Sequence, residues 1–246
     1  MERLNGDAVS AEVFSSGYCP LDCDYCFIPK SDEMEDLHRD IVMQLKSGEW
    51  LNKLEKLYGE KLEYIGFWGT EPLLVLDHVT DQLEEINNRF PKLKEYKLST
   101  SLVLDPEPLI RFIEEIRKYD IDFTFQISVD GPYTDVNRVK CATEKIKKNL
   151  KKLLSEIDDL KLQWKSTVSI DNIKDMAENG VDDYYRWFEE MNQYCMEMND
   201  TVRIAKGSEA PTLVVPGKYT SQDGKIFAEF LKKVHEKDRD TTYTPR

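Results

Sequence analysis

Apolar and β-branched residues gather in six short runs of strand length, at 11–15, 62–68, 96–100, 122–129, 161–169 and 202–205. After each run, apolar positions recur at helical spacing, over 33–46, 77–90, 106–118, 143–157, 173–196 and 221–236. Strand and helix alternating from end to end predict a parallel sheet with helical crossovers. Six such units, against the eight of a closed barrel, predict an α/β fold of the partial (β/α)6 TIM-like barrel type with parallel strands.

Punctuation supports this order. Asp105 before Pro106 is an N-cap with proline in the first turn, and Leu109, Phe112, Ile113 and Ile116 then form a core stripe. Gly180 interrupts the stretch 173–196, which predicts two helices, with Tyr184, Trp187 and Phe188 packing one face of the second. Residues 48–60 read as an insertion of undecided structure, and 206–218, with Pro211 and Pro216, as a loop. In the fourth strand, alternation puts Gln126 and Ser128 on one face and Ile127 and Val129 on the other, so polar groups line the barrel mouth.

Composition narrows the functional classes. At 246 residues and 40% apolar, the chain can bury one sizeable core. Its net charge of −13 would repel a phosphate backbone, so no nucleic-acid partner is expected, and the lysines of 145–152 read as a solvated helix face. No run approaches the roughly 20 apolar residues of a membrane span. The first nine residues lack the basic flank and apolar stretch of a signal peptide, so the expectation is a cytoplasmic protein without a membrane partner.

The five cysteines are unevenly spread: Cys19, Cys23 and Cys26 share one short loop, whereas Cys141 and Cys195 stand alone and read as packing or inert surface. An odd count without export signals points away from disulfides and towards metal or catalytic chemistry. Spacings of three and two intervening residues, directly after the first strand, supply thiolates for three corners of a cubane iron–sulfur cluster. The fourth iron would stay open to an exogenous amine and carboxylate, as catalytic metal sites do. The competing reading is structural zinc with His38 as fourth ligand. Reduced core cysteines fit poorly, because Asp22 and Asp24 lie among them. His78 and His235 fall in predicted helices and read as surface residues.

This loop, with aromatic Tyr25 directly before the third cysteine, resembles the hallmark of the radical S-adenosylmethionine enzymes. Gly69-Thr70-Glu71-Pro72 resembles the family's Gly-Gly-Glu-Pro turn, with Thr70 in place of the second glycine. Gly69 lets a ligand approach the backbone, and Glu71 offers a carboxylate to the methionyl amine. Ser128-Val129-Asp130-Gly131-Pro132 resembles a segment of the peptide-modifying, sulfatase-maturating branch, where the serine and a following arginine contact the cofactor; here these are Ser128 and Arg138. Asp130 either touches the cofactor or orders the turn that positions Ser128. The resemblance places Tyr25, Phe27, Gly69, Thr70, Glu71, Ser128, Asp130 and Arg138 at the cofactor and Cys19, Cys23 and Cys26 at the metal. Partial likeness continues at Ser99-Thr100-Ser101, where the hydroxyls of Thr100 and Ser101 either face the cofactor or, by default, are solvated strand ends, at 167–172, and at 219–223 before the last helix.

The resemblance implies a [4Fe-4S] cluster and S-adenosylmethionine as cofactors, a flavodoxin or ferredoxin as electron donor, and hydrogen abstraction from a peptide or protein by a 5′-deoxyadenosyl radical. A small metabolite is the alternative substrate, and a non-catalytic zinc-binding interaction module the alternative class. Residues 1–246 are expected to form one catalytic core, with the cluster loop at 16–30 and no auxiliary-cluster domain among them. Whether that core is a one-cluster enzyme or part of a longer product stays open.

Overall fold

The computed structural model describes residues 9–205, 212–213 and 220–240. In chain order its elements are β1 (Val9–Ser16), α1 (Asp32–Ser47), α2 (Glu49–Tyr58), β2 (Leu62–Gly69), α3 (Leu76–Thr80), α4 (Leu83–Arg89), β3 (Glu95–Thr100) and α5 (Glu107–Ile116). There follow β4 (Asp122–Val129), α6 (Thr134–Asn137), α7 (Ala142–Glu156), β5 (Lys161–Val168), α8 (Ile170–Asn179), α9 (Asp182–Met198), β6 (Arg203–Ile204), β7 (Thr212–Leu213) and α10 (Ser221–Asp240). The strands pair in parallel in the order β1-β2-β3-β4-β5-β6, so β1 and β6 are opposite ends of an open, partial barrel. β7 pairs with the end of β5, beyond the two residues that β6 covers at its start.

The pleat divides the sheet into two chemistries. On β3 and β5, buried and partly open residues alternate, and Tyr96, Leu98, Leu162 and Trp164 turn towards the helices. There Phe67, Tyr96, Phe112 and Phe123 meet edge-to-face or stacked, with ring centroids 5.4–6.3 Å apart, and form the centre of the core. The opposite, concave face is polar, as the alternation in β4 predicts: Ile127 and Val129 are fully buried, whereas Gln126 turns to the concave side.

The predicted elements appear with several differences, among them the short, unpredicted α6 and β7. Residues 48–60 are mostly α2, which starts at left-handed Gly48 and buries Trp50, Leu51 and Leu54. The stretch 77–90 divides into α3 and α4 at Asp81–Gln82, where the Gln82 amide donates to the Leu45 and His78 carbonyls and accepts from Trp50 Nε1 at 2.9 Å. The sixth strand shrinks to two residues. The break at Gly180 is present, and the Ser169–Asn172 capping box starts α8 before it. Tyr184, Trp187 and Phe188 of α9 pack as expected, and Tyr184 Oη donates to Ser166 Oγ at 2.5 Å. Of the predicted loop 206–218, only β7 is among the described residues, and Tyr219 lies outside them. No helix among the described residues is long and apolar enough to cross a membrane.

Candidate active site

Parallel strands direct their C-terminal ends to one rim, and the three sequence motifs sit there: the cysteine loop after β1, the Glu-Pro turn after β2 and the Ser-x-Asp-Gly-Pro segment at the end of β4. Side-chain bonds fasten them to one another. At the base of the loop, Thr70 Oγ1 lies 3.0 Å from the Ser16 carbonyl, 3.1 Å from Ser16 Oγ, and in contact with the Tyr18 carbonyl. The hydroxyl that replaces the family's second glycine therefore ties the turn to the start of the loop.

Ser16 Oγ also meets Nδ1 of His38 at 3.3 Å, and burial lowers the pKa of that imidazole. Gly17 completes the base. A Cβ there would fall 2.6 Å from the Met34 carbonyl, so α1 packs directly on the backbone of the loop. Ser16, Gly17 and His38 thus support the loop in roles that the sequence reading missed. The tight Gly17 was the one legible signal.

Gly69 has φ +126°, and a Cβ would stand 3.0 Å from the Ser16 carbonyl. Gly69→Ala should cost more than about 1 kcal/mol, because it combines a strained backbone with a contact to a fixed carbonyl. A urea-denaturation midpoint equal to wild type would contradict this.

Glu71 is fully buried, and four donors occupy its carboxylate. Oε1 accepts from Thr100 Oγ1 at 2.5 Å and the Leu73 N–H at 3.2 Å; Oε2 accepts from Ser101 Oγ at 2.5 Å and the Ser101 N–H at 3.1 Å. Burial pushes the carboxyl pKa up, and these hydrogen bonds pull against it. A methionyl ammonium would reach Glu71 only by displacing one of these donors. Thr100 and Ser101, read from sequence as solvated strand ends, are instead buried donors that join the ends of β2 and β3. Each carboxylate oxygen takes one backbone N–H, so the NH2 of a glutamine side chain at this position would face a backbone donor in either orientation. Glu71→Gln should therefore lower stability by about 1–3 kcal/mol. The check is the unfolding midpoint at unchanged m-value.

The far side of the loop is clamped to β4. Tyr25 Oη lies 2.8 and 2.9 Å from the two oxygens of Asp130, and Arg138 reaches Asp130 Oδ1 through Nη2 at 2.8 Å and Nε at 3.1 Å. The guanidinium also stands 5.7 Å from the centroid of the Tyr25 ring. Asp130 is wholly buried and Arg138 7% exposed, so the pair is nearly dry. Burial pushes the Asp130 carboxyl up, while Arg138 and the bond from Tyr25 oppose the shift. The Asp24 N–H donates to the Asn137 carbonyl at 3.0 Å, and Asn137 Nδ2 to Asn172 Oδ1 at 2.8 Å, which ties the loop to the cap of α8. Ser128 is half-buried on the concave face, in register with Lys165, and its hydroxyl has no partner among the described residues. Phe27, next to Cys26, is 80% exposed.

Cys19 and Cys23 are half-buried and Cys26 is exposed. Burial pushes the Cys19 thiol up to about 11 against the Leu21 N–H, and Glu71, Cys23 and Cys26 add to the rise. The Cys23 thiol is raised by burial, with Arg138 opposing and Asp130 and Cys26 adding. The three sulfurs thus lie within each other's field, and a bound metal would invert that penalty by holding them as thiolates. This donor set fits a cluster with three protein ligands. Among the described residues, no three His, Cys, Asp or Glu side chains converge as one ion would need, and His38 is turned to Ser16. Cys195 is buried, its thiol pushed up to about 12 by desolvation, and Cys141 is exposed; neither joins the site.

Comparison with known proteins agrees with this geometry. No curated protein matches the chain in sequence. Among solved structures, native anSMEcpe with bound AdoMet is similar in fold, at TM-score 0.58 and 19% identity, over 92% of this chain and 59% of that one. Native anSMEcpe with bound AdoMet and Kp18Cys peptide matches at TM-score 0.54 and 20% identity, over 90% of this chain and 58% of that one. The chain therefore spans about three fifths of the length of these structures. The family model described as Radical SAM superfamily matches residues 13–188, which takes in the cysteine loop, the Glu-Pro turn and the β4 segment. With the three motifs joined at one rim of a partial barrel, the chain belongs to the radical SAM superfamily, a family of enzymes whose cofactors are a [4Fe-4S] cluster and S-adenosylmethionine.

Proposed function

We propose that Cys19, Cys23 and Cys26 hold the cluster and that the protein cleaves S-adenosylmethionine reductively to take a hydrogen atom from a peptide or protein. The observation that carries this reading is the double fastening of the cysteine loop, at its base by Thr70 and at its tip by the Tyr25–Asp130–Arg138 clamp. When bound, the two cofactors supply a one-electron cleavage of the sulfonium and a 5′-deoxyadenosyl radical, chemistry that no side chain provides.

The chain's own residues bind and orient. Ser128 has a hydroxyl on the concave face without a partner among the described residues, and Arg138 keeps donors that Asp130 does not use; together they suit the methionyl carboxylate. Gly69 leaves the backbone open to the methionyl end, and Thr70 and Glu71 hold that turn in place. Asp130 acts on the cofactor through Arg138 and Tyr25. Phe27, exposed beside Cys26, offers an apolar contact near the cluster to the cofactor or to a flavodoxin or ferredoxin that delivers the electron. A peptide substrate is supported by the fold's likeness to structures that hold AdoMet and a peptide together, and by the open concave face.

Anaerobic reconstitution tests the reading. The expected result is about four irons per chain and release of 5′-deoxyadenosine on reduction with S-adenosylmethionine, at a rate that peptides increase. Stoichiometric zinc that survives in air, with no uptake of iron, would replace it with the zinc-binding module. Turnover stimulated only by small metabolites would keep the enzyme and remove the peptide.

A further inference from the structure

The concave face carries chemistry that the cofactor site leaves unused. Ser99, Gln126 and Gln163 share this face, because Ser99 Oγ donates to Gln126 Oε1 at 2.7 Å and Gln126 Nε2 to Gln163 Oε1 at 2.5 Å. Residues two apart on a strand point the same way, so Lys97 on β3 and Lys165 on β5 lie on it too. Phe14 and Trp68, in register on β1 and β2, meet edge-to-face at 5.3 Å and form an aromatic wall along its side. Trp68 is 41% exposed.

Towards the strand starts, the charges on this face are satisfied within the protein. Lys161 pairs with Asp122 at 2.8 Å, and Thr124 Oγ1 donates to Glu95 at 2.8 Å. Nearer the rim the pattern changes. Lys97, Lys165 and the Trp68 indole N–H have no hydrogen bond or ion pair among the described residues. Among the carboxylates, Glu71 is held by four donors and Asp130 by Tyr25 and Arg138, while the Glu12 carboxylate lies over Gly66, in the row of the sheet that also holds Lys97. On a chain of net charge −13, the mouth of the barrel thus offers Lys165 and neutral donors on its β4–β5 side, away from the Glu12 carboxylate and the aromatic pair of the β1–β2 side.

From this arrangement we infer that the mouth accepts a peptide segment bearing a side-chain carboxylate, and that Lys165 is the residue that selects it. The inference rests on the peptide reading above and names the class of peptide. Lys165 stands in register with Ser128, so a carboxylate held by its ammonium lies beside the cofactor end of β4. Lys97 lies deeper, in the row of Gly66 and Glu12, where it offsets the Glu12 charge, and Phe14 with Trp68 suits an apolar neighbour of the acidic residue. An ammonium–carboxylate bond of this kind discriminates strongly against the isosteric amide, because the amide lacks the charge.

The test uses the reconstituted protein with S-adenosylmethionine and dithionite. It is given pools of capped octapeptides whose random positions are uncharged and whose central residue is Asp or Glu, Asn or Gln, or Lys or Arg, and 5′-deoxyadenosine is measured. The acidic pool should raise its formation about fivefold or more over the amide pool. Lys165→Glu should shift the preference to the basic pool, and Lys165→Arg should keep the acidic one. Equal responses to the three pools, or an acidic preference that survives Lys165→Glu, would overturn the carboxylate assignment and leave the peptide reading standing. No response to any pool, while the nucleoside still forms without peptide, would remove both. Equilibrium dialysis of S-adenosylmethionine supplies the last arm. Affinity lost in Lys165→Met to the same extent as the peptide response would assign the lysine to the cofactor and overturn the inference.

Discussion

Cys23→Ala protein, reconstituted anaerobically with iron and sulfide, should retain background iron where the wild type holds about four per chain, and should release no 5′-deoxyadenosine above the protein-free control. Two thiolates cannot replace three. Cys23 is half-buried within the field of both other thiols and of Arg138, so its loss removes a corner that no neighbouring group can fill. Cys26→Ala should behave alike. Cys141→Ser is the matched control: Cys141 is exposed at the start of α7, far in sequence from the loop, and its variant should keep both the iron and the cleavage. Wild-type iron in Cys23→Ala would sink the assignment of the loop as the cluster ligand set. The readout is iron and absorbance as well as turnover, so a folding defect can be recognised by circular dichroism and separated from ligand loss.

Asp130→Ala should cost about 3–5 kcal/mol of stability, because it leaves the Arg138 guanidinium buried without its counter-charge. For a chain of this size that corresponds to a fall in Tm on the order of 10 °C. Arg138 is 7% exposed and meets Asp130 through two nitrogens, and the same carboxylate takes the Tyr25 hydroxyl. Tyr25→Phe, which deletes one hydrogen bond to a buried carboxylate but leaves Asp130 paired with Arg138, should cost less, about 1.5–3 kcal/mol. Asp130→Asn should fall between the two. Urea unfolding of the three variants tests the order. Equal losses in Asp130→Ala and Tyr25→Phe would mean that water reaches Arg138 and that the clamp is not dry. S-adenosylmethionine affinity should follow the same order, since the clamp positions the cysteine loop and the arginine together.

The supporting parts were harder to see in the sequence than the ligands. Cysteine spacing announced the loop because three thiolates on so few residues have little other use. The Glu-Pro turn and the β4 segment were legible because glycine, proline and aspartate carry turn chemistry in their identities. The partners of those residues were not legible. Thr100 and Ser101 look like ordinary strand-end hydroxyls until β3 is laid beside β2 and brings them to Glu71. Asp130 could have touched the cofactor or ordered its turn, and only the approach of Tyr25, from 105 residues earlier in the chain, shows it as the anchor of a clamp. His38, a candidate zinc ligand by sequence, faces Ser16 because α1 packs against Gly17.

By itself the sequence determined the periodicities, and through them six strands, most of the helices, the parallel open barrel and the three motifs of the rim. These are local matters: a side chain's hydropathy and a residue's turn preference act within a few positions of themselves. Tertiary structure alone decided the four donors around Glu71, the dry Asp130–Arg138 pair and the concave-face lysines that have no partner among the described residues. Each depends on distance between segments remote in sequence, where burial strengthens a charge–charge contact and removes the water that would otherwise satisfy it.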